Sequence, residues 1–156
     1  MKSNLWSLGF FALLPLLLSP SLSLFAAGLD KNLPAEQAIL QLEQRAQQAN
    51  PRDQCFLYTE LVSAMTDVAG KQILDGDIDH ASATLKKIEH YAQLIHLGLG
   101  NDTKKLKNAQ MLMHRTTYRL NEFLHEASNE DQATLQATLK ELNQVQDELL
   151  MQVFKH

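Results

Sequence analysis

The chain has 156 residues, with 14 Lys and Arg side chains against 18 Asp and Glu, a formal net charge of −4 at pH 7, and one cysteine. This acidic balance argues against nucleic acid as a partner, because nucleic-acid binding depends on a clustered basic surface. A single cysteine excludes an internal disulfide and a covalently attached haem, which needs a Cys-x-x-Cys-His motif.

The chain opens with an uncharged segment from residue 3 to residue 29. Lys2 precedes it, an apolar run fills residues 8–18, and small residues follow. This order is typical of a secretory signal peptide. We therefore expect a signal peptide over residues 1–27, cleaved between residues 23 and 27, and export to the periplasm or the medium. An uncleaved anchor over residues 4–29 is the alternative, since the segment exceeds the roughly 20 residues that span a bilayer.

Residues 28–156 have the size of one domain. Loss of the first 27 residues removes Lys2 and no acid, which leaves 13 basic and 18 acidic side chains and a net charge of −5. No segment shows sustained alternation with period two, and apolar residues recur at spacings of three and four, which predicts an all-α protein. The helices are expected over about residues 34–49, 51–74, 78–98, 102–127 and 129–155.

Local signals mark the expected helix ends. Asn50 is expected to cap the second helix and Asp77 the third. Gly76 suits a left-handed turn between them. Ser128 with Asp131 resembles a capping box at the start of the last helix.

Long helices joined by short links predict an up-and-down antiparallel bundle of four to five helices. The alternative, a helical repeat with a period of about 34 residues, lacks a second copy of any unit. The first helix has the narrowest apolar face, so part of the core is expected to stay open for a partner helix or a ligand. The apolar stripe expected in the second helix consists of Leu57, Leu61, Ala64, Met65 and Val68.

Alternating helix directions predict two ends of opposite charge. Contact with an anionic partner, either a phospholipid head group or an acidic protein, is one interpretation of the basic end. The other is that the cations offset the carbonyl ends of three helices. The expected basic end contains Arg52, Lys104, Lys105, Lys107 and Lys155, with His96 and His156. The expected acidic end contains Asp75, Asp77, Asp79, Glu126, Glu130 and Asp131.

One face of the fourth helix carries candidate metal ligands. His114, Glu122 and His125 share this face, and Glu122 with His125 matches the Glu-x-x-His element of di-iron bundles. Such a site needs two copies of the element, and the sequence has one. A non-covalent haem, held with help from Met113, would also fit this architecture. The alternative is that these side chains face solvent beside the core.

Cys55 lies at the start of the second helix, where the helix dipole can lower the pKa of a thiol. A reactive thiol, and with it a small thiol-dependent enzyme, is one interpretation. A small buried side chain is the other. No motif for a catalytic triad, a phosphate-binding loop or a zinc helix occurs in the chain.

Three segments, PRDQCFLYTELV (51–62), DTKKLKNA (102–109) and QVFKH (152–156), together resemble an uncharacterised group of small exported helical proteins from bacteria. The resemblance covers most of the chain after the signal peptide. It implies export and an all-helical fold, and it implies no activity and no functional residue.

The sequence therefore predicts an exported, non-catalytic helical binding module with no catalytic residue and no cofactor. A metal- or haem-binding bundle is the alternative, and a thiol-dependent enzyme is the second alternative. The expected partner is another protein or an anionic surface, and not nucleic acid. Membrane attachment is expected only if the signal segment is uncleaved.

Overall fold

The computed structural model describes residues 33–100 and 103–155, apart from the side chains of Leu33, Pro34 and Glu130. The expected signal peptide, its cleavage region and His156 lie outside the described residues. Within these ranges the chain forms helices and no strand, which confirms the all-α class. The helices are α1 (Leu33–Gln48), α2 (Pro51–Leu74), α3 (Ile78–Gly98), α4 (Leu106–Glu126) and α5 (Asn129–Lys155).

Side-chain caps and one glycine set several helix ends. The Arg52 amide donates to Asn50 Oδ1 at 2.9 Å, so Asn50 caps α2 as expected. Gly76 has a φ of +74°, the left-handed conformation that a side chain disfavours. Asp77 stands at the N-cap of α3, but its carboxylate caps no backbone amide. It hydrogen-bonds His80 Nδ1 at 2.8 Å instead.

The start of α4 differs from the expected residue 102. The Lys104 amide donates to the Arg52 carbonyl at 2.9 Å, and the Thr103 hydroxyl donates to the Gly98 carbonyl at 3.1 Å. These bonds tie the link between α3 and α4 to α2 and α3. Lys105 then has a φ of 59°, which cannot continue a right-handed helix. The helix therefore begins only at Leu106.

The helices form an up-and-down bundle in which each reverses the direction of the one before. Helix α2 packs against α1, α3 and α4, while α5 packs against α3 and α4. Helices α2, α3, α5 and α4 thus form a four-helix ring, and α1 packs on α2 outside it. Helices α2 and α4 are neighbours and run parallel. Lys104 pairs with Asp53 near the starts of the two helices, and Arg119 pairs with Asp67 further along both.

Because it contacts three helices, α2 is buried on most of its sides. Leu61 and Met65 of the expected stripe are buried, whereas Leu57, Ala64 and Val68 are only partly buried. The hydroxyls of its buried threonines donate to carbonyls one turn earlier, as from Thr59 to Cys55 at 2.9 Å. No buried side-chain polar atom in the described residues lacks a partner. The buried apolar residues of α2 are Cys55, Tyr58, Leu61, Val62, Met65, Ala69 and Ile73.

None of the described helices has both the length and the apolar character that a membrane span requires.

Candidate binding site

The starts of α2 and α4 and the ends of α3 and α5 lie at one end of the bundle. Lys104 Nζ lies 3.5 Å from Asp53 Oδ2, and Lys105 Nζ lies 4.7 Å from the centre of the Phe56 ring. Neither Lys107 nor Lys155 forms an ion pair within the described part of the chain. We call this surface the basic end, and define it by the exposed side chains of Arg52, Lys104, Lys105, Lys107 and Lys155.

Large apolar side chains are exposed at the same end. Leu97 in the last turn of α3 is 72% exposed, and Phe154 and Met151 near the end of α5 are 82% and 56% exposed. These three residues were not predicted as part of the site, because they lie outside the regular apolar stripes of α3 and α5. That position was a signal of their exposure in the sequence, because an apolar residue off the stripe of an amphipathic helix is expected to face solvent.

A groove separates the last turns of α3 and α5 at the basic end. It has a volume of about 340 Å³ and is lined by His96 and Leu99 from one side and by Met151 and Lys155 from the other. His96 Nδ1 lies 2.5 Å from Glu148 Oε2 across it. Apolar side chains therefore lie beside Lys155 in this groove.

The acidic end is less uniform than expected. Asp75, Asp77, Asp79 and Glu126 are exposed there. Asp131, by contrast, is only 7% exposed. Its carboxylate accepts a hydrogen bond from Ser128 Oγ at 2.8 Å, and its backbone amide donates to Ser128 Oγ at 3.3 Å. Asp131 thus serves the start of α5 rather than the surface.

A second cleft, of about 290 Å³, lies between α1, α2 and α3. Ile39, Met65 and Val68 supply apolar walls, while Glu43 lies on the α1 side. The Tyr91 hydroxyl of α3 donates to Glu43, which joins α1 to α3. Burial raises the pKa of Tyr91, and the Glu43 carboxylate raises it further. This hydrogen bond holds the first helix over the ring.

The candidate metal ligands are exposed on the outer side of α4. His114 borders a shallow polar groove with Tyr118, but Glu122 and His125 do not line that groove. Met113 is fully buried, so it faces away from His114. Among residues 33–100 and 103–155, no three His, Cys, Asp or Glu side chains come close enough to hold a metal ion.

Cys55 is a free thiol that is fully buried in the core. Burial raises its pKa from the ordinary value of 9.0 to about 12. The thiol is therefore protonated at neutral pH and shielded from solvent, whereas a reactive cysteine needs an accessible thiolate. This geometry favours a structural role.

Comparison with known proteins returned no match: no family model, no curated protein and no solved structure matches the chain.

Proposed function

We propose that the protein is an exported, non-catalytic binding module that contacts an anionic partner through its basic end. The observation that carries this proposal is the grouping of Arg52, Lys104, Lys105, Lys107 and Lys155 at one end of a chain whose net charge is negative. Export is inferred from the N-terminal segment, and it stays a prediction.

Charge segregation along the chain supports the proposal. Residues 103–121 contain five Lys and Arg side chains and no Asp or Glu. No acidic side chain follows Glu148. Near the basic end, the carboxylates of Asp53 and Glu148 contact Lys104 and His96, and the carboxylate of Asp147, next to Glu148, is exposed. The lysines without such partners remain available to a negatively charged molecule.

Helix stability does not explain the lysines at the start of α4. Cations near a helix N-terminus are disfavoured by the helix dipole, by roughly 0.3–1 kcal/mol each. Lys105 also adopts a left-handed backbone conformation, which costs about 1 kcal/mol for a residue with a side chain. Offsetting of carbonyl ends accounts for Lys155, at the end of α5, whereas Lys104, Lys105 and Lys107 lie at the start of their own helix. Lys104 pairs with Asp53 and Lys105 lies over the Phe56 ring. Recognition of an anion gives a further role to the exposed ammonium groups of Lys105 and Lys107.

A matched pair of double variants tests this proposal. We expect the wild type to bind poly-L-glutamate, phosphatidylglycerol vesicles or both, and we expect Lys105→Gln with Lys107→Gln to weaken the binding to each probe that the wild type binds. Lys86→Gln with Lys140→Gln removes the same charge elsewhere, from two other exposed lysines, and should have little effect. Raising the salt concentration should reproduce the loss, because salt screens exposed charges. Equal behaviour of the two double variants, or no binding of either probe, would contradict the proposal.

The two alternatives have a separate test. An absorption spectrum and elemental analysis of the protein, purified from a bacterial periplasm without chelators, would detect bound metal or haem. A stoichiometric signal that falls in His125→Ala would establish the cofactor-binding alternative. An activity lost on alkylation of Cys55 would establish the thiol-dependent enzyme.

A further inference from the structure

The basic end differs from an ordinary cationic surface in its apolar side chains. Phe154 and Leu97 are the two most exposed large apolar side chains of the described residues. Both lie in the last turn of a helix, and both of those helices end at the basic end. Exposed apolar side chains grouped in this way usually mark a contact surface.

The pairing of α3 with α5 places these side chains at the tip of the bundle. The Thr138 hydroxyl donates to Glu89 Oε1 at 2.7 Å, and His96 Nδ1 lies 2.5 Å from Glu148 Oε2. Because the two contacts join increasing positions on both helices, α3 and α5 run parallel toward the same end of the bundle, and α5 continues further past its contact than α3 does. Lys155 follows Phe154 directly and lines the groove with His96. Exposed apolar side chains and a lysine therefore lie close together at the tip.

We infer that the anionic partner is the surface of an anionic phospholipid bilayer, on which the protein docks end-on by its basic end without spanning it. This inference rests on the proposed function and names its partner. Lysine ammonium groups would meet the lipid phosphates, and Phe154, Leu97 and Met151 would enter the boundary between head groups and acyl chains. A bilayer therefore accounts for the exposed apolar side chains as well as for the lysines. An acidic protein surface would account only for the lysines.

Charge complementarity supports the end-on orientation. The exposed carboxylates of Asp75, Asp77 and Asp79 lie beyond the other end of α2. Helix α2 has 24 residues, so that end lies about 36 Å from the basic end. This distance is several times the Debye length of about 8 Å at physiological salt. Repulsion between the acidic end and an anionic bilayer is thus screened.

A tryptophan reporter at position 154 tests the inference. The only tryptophan in the chain is Trp6, within the expected signal peptide, and Trp6→Phe removes it whether or not cleavage occurs. We expect the emission of Phe154→Trp to shift to the blue with phosphatidylglycerol vesicles, but not with phosphatidylcholine vesicles or poly-L-glutamate. Leu74→Trp, at an exposed apolar position at the opposite end, is the matched control and should show no shift.

The size of the electrostatic contribution can be measured with the same vesicles. Each lysine near an anionic surface contributes about a fivefold gain in partition, so Lys105→Gln with Lys107→Gln should weaken vesicle binding by roughly 30-fold. Lys86→Gln with Lys140→Gln should change it by less than about twofold. Phe154→Ser should also weaken binding, whereas Leu74→Ser should not.

The outcomes separate this inference from the proposed function. Lysine-dependent binding to poly-L-glutamate without binding to vesicles would overturn the bilayer and leave an acidic protein as the partner. Equal shifts of the two reporters, or equal binding to both lipids, would also overturn the inference. No binding to any anionic probe would overturn both.

Discussion

At the scale of single residues, His80 lies at the start of α3 beside several carboxylates. Its Nδ1 lies 2.8 Å from Asp77 Oδ1. This hydrogen bond raises the pKa of His80 above the ordinary value of 6.5, and the charges of Asp77, Asp79 and Glu36 raise it further. Protonated His80 thus stabilises the fold. The contribution is complete below pH 6.5 and is lost as the pH rises through the raised pKa.

The expected result is an NMR titration midpoint for His80 above 6.5. Asp77→Asn should move this midpoint down toward the ordinary value, because it removes the carboxylate that accepts the hydrogen bond. Asp79→Asn is the control and should move it less, since Asp79 acts only through its charge. Equal effects of the two substitutions would contradict the role of the hydrogen bond.

Cys55 should resist alkylation in the folded protein. Its thiol is buried and its pKa is raised to about 12, so little thiolate forms near pH 8. We expect iodoacetamide to modify it slowly in buffer and rapidly in urea, as followed by mass spectrometry. Rapid modification of the folded protein would contradict the burial and favour the thiol-dependent enzyme.

At the scale of helices, α2 and α4 are in close contact where Gly70 meets Phe123. A Cβ atom at this position would overlap the ring of Phe123. In an open helix position, Gly→Ala stabilises by about 1 kcal/mol. We expect Gly70→Ala instead to destabilise the wild type by about 1 kcal/mol, because the Phe123 ring must leave its contact.

A double-mutant cycle measures this contact by urea denaturation. On a Phe123→Ala background, Gly70→Ala should stabilise by about 1 kcal/mol, since the obstacle is gone. The coupling free energy is then about 2 kcal/mol, within the range found for residues in contact. Additive effects of the two substitutions would show that α2 and α4 do not meet there.

Helix α1 packs on α2 through Ala46 and its neighbours, and polar contacts add to its attachment to the ring of helices. The Tyr91 hydroxyl donates to Glu43, and Arg45 Nη2 lies 2.9 Å from Glu60 Oε2. We expect Tyr91→Phe to speed amide hydrogen exchange over residues 33–48, because α1 then loses its hydrogen bond to α3. Tyr118→Phe, on the exposed side of α4, should leave that exchange unchanged. Equal protection of α1 in both variants would mean that the hydrogen bond does not hold it.

At the scale of the whole molecule, the alternating helix directions place basic side chains at one end of the bundle and acidic side chains at the other. Each helix reverses the one before, so helix starts and ends that are distant in sequence gather at the same end. Lys104 and Asp53 meet in this way although 51 residues separate them. This separation of charge follows from the number and lengths of the helices, which is why the sequence could predict a basic and an acidic end.

Much of the fold is local, and local features could be predicted. The Asn50 cap, the turn at Gly76 and the contact of Ser128 with Asp131 depend on residues within a few positions of each other. Apolar spacings of three and four likewise identified the helices. These features require only backbone hydrogen bonds and nearby side chains, so the order of residues is sufficient to reveal them.

The candidate site was only partly predictable. The lysines of the basic end could be named from the sequence, because charge and helix direction are enough to group them. The exposure of Leu97 and Phe154 had a signal in the sequence, their position off the apolar stripes, but only the packed structure shows that no neighbouring helix covers them. Only the packed structure likewise decides the state of Cys55, whose position at a helix start was compatible with a reactive thiol or a buried one.

The amino-acid sequence by itself determined the all-α class, the alternation of helix directions and the helix caps at Asn50 and Ser128. Only the tertiary structure decided that α4 lies beside α2, that α2 is buried on most of its sides, and that α4 begins at Leu106. The physical reason is that apolar stripes of similar spacing can pack in several orders. The order is chosen by contacts between distant residues, such as the bond from the Lys104 amide to the Arg52 carbonyl, and no local pattern encodes them.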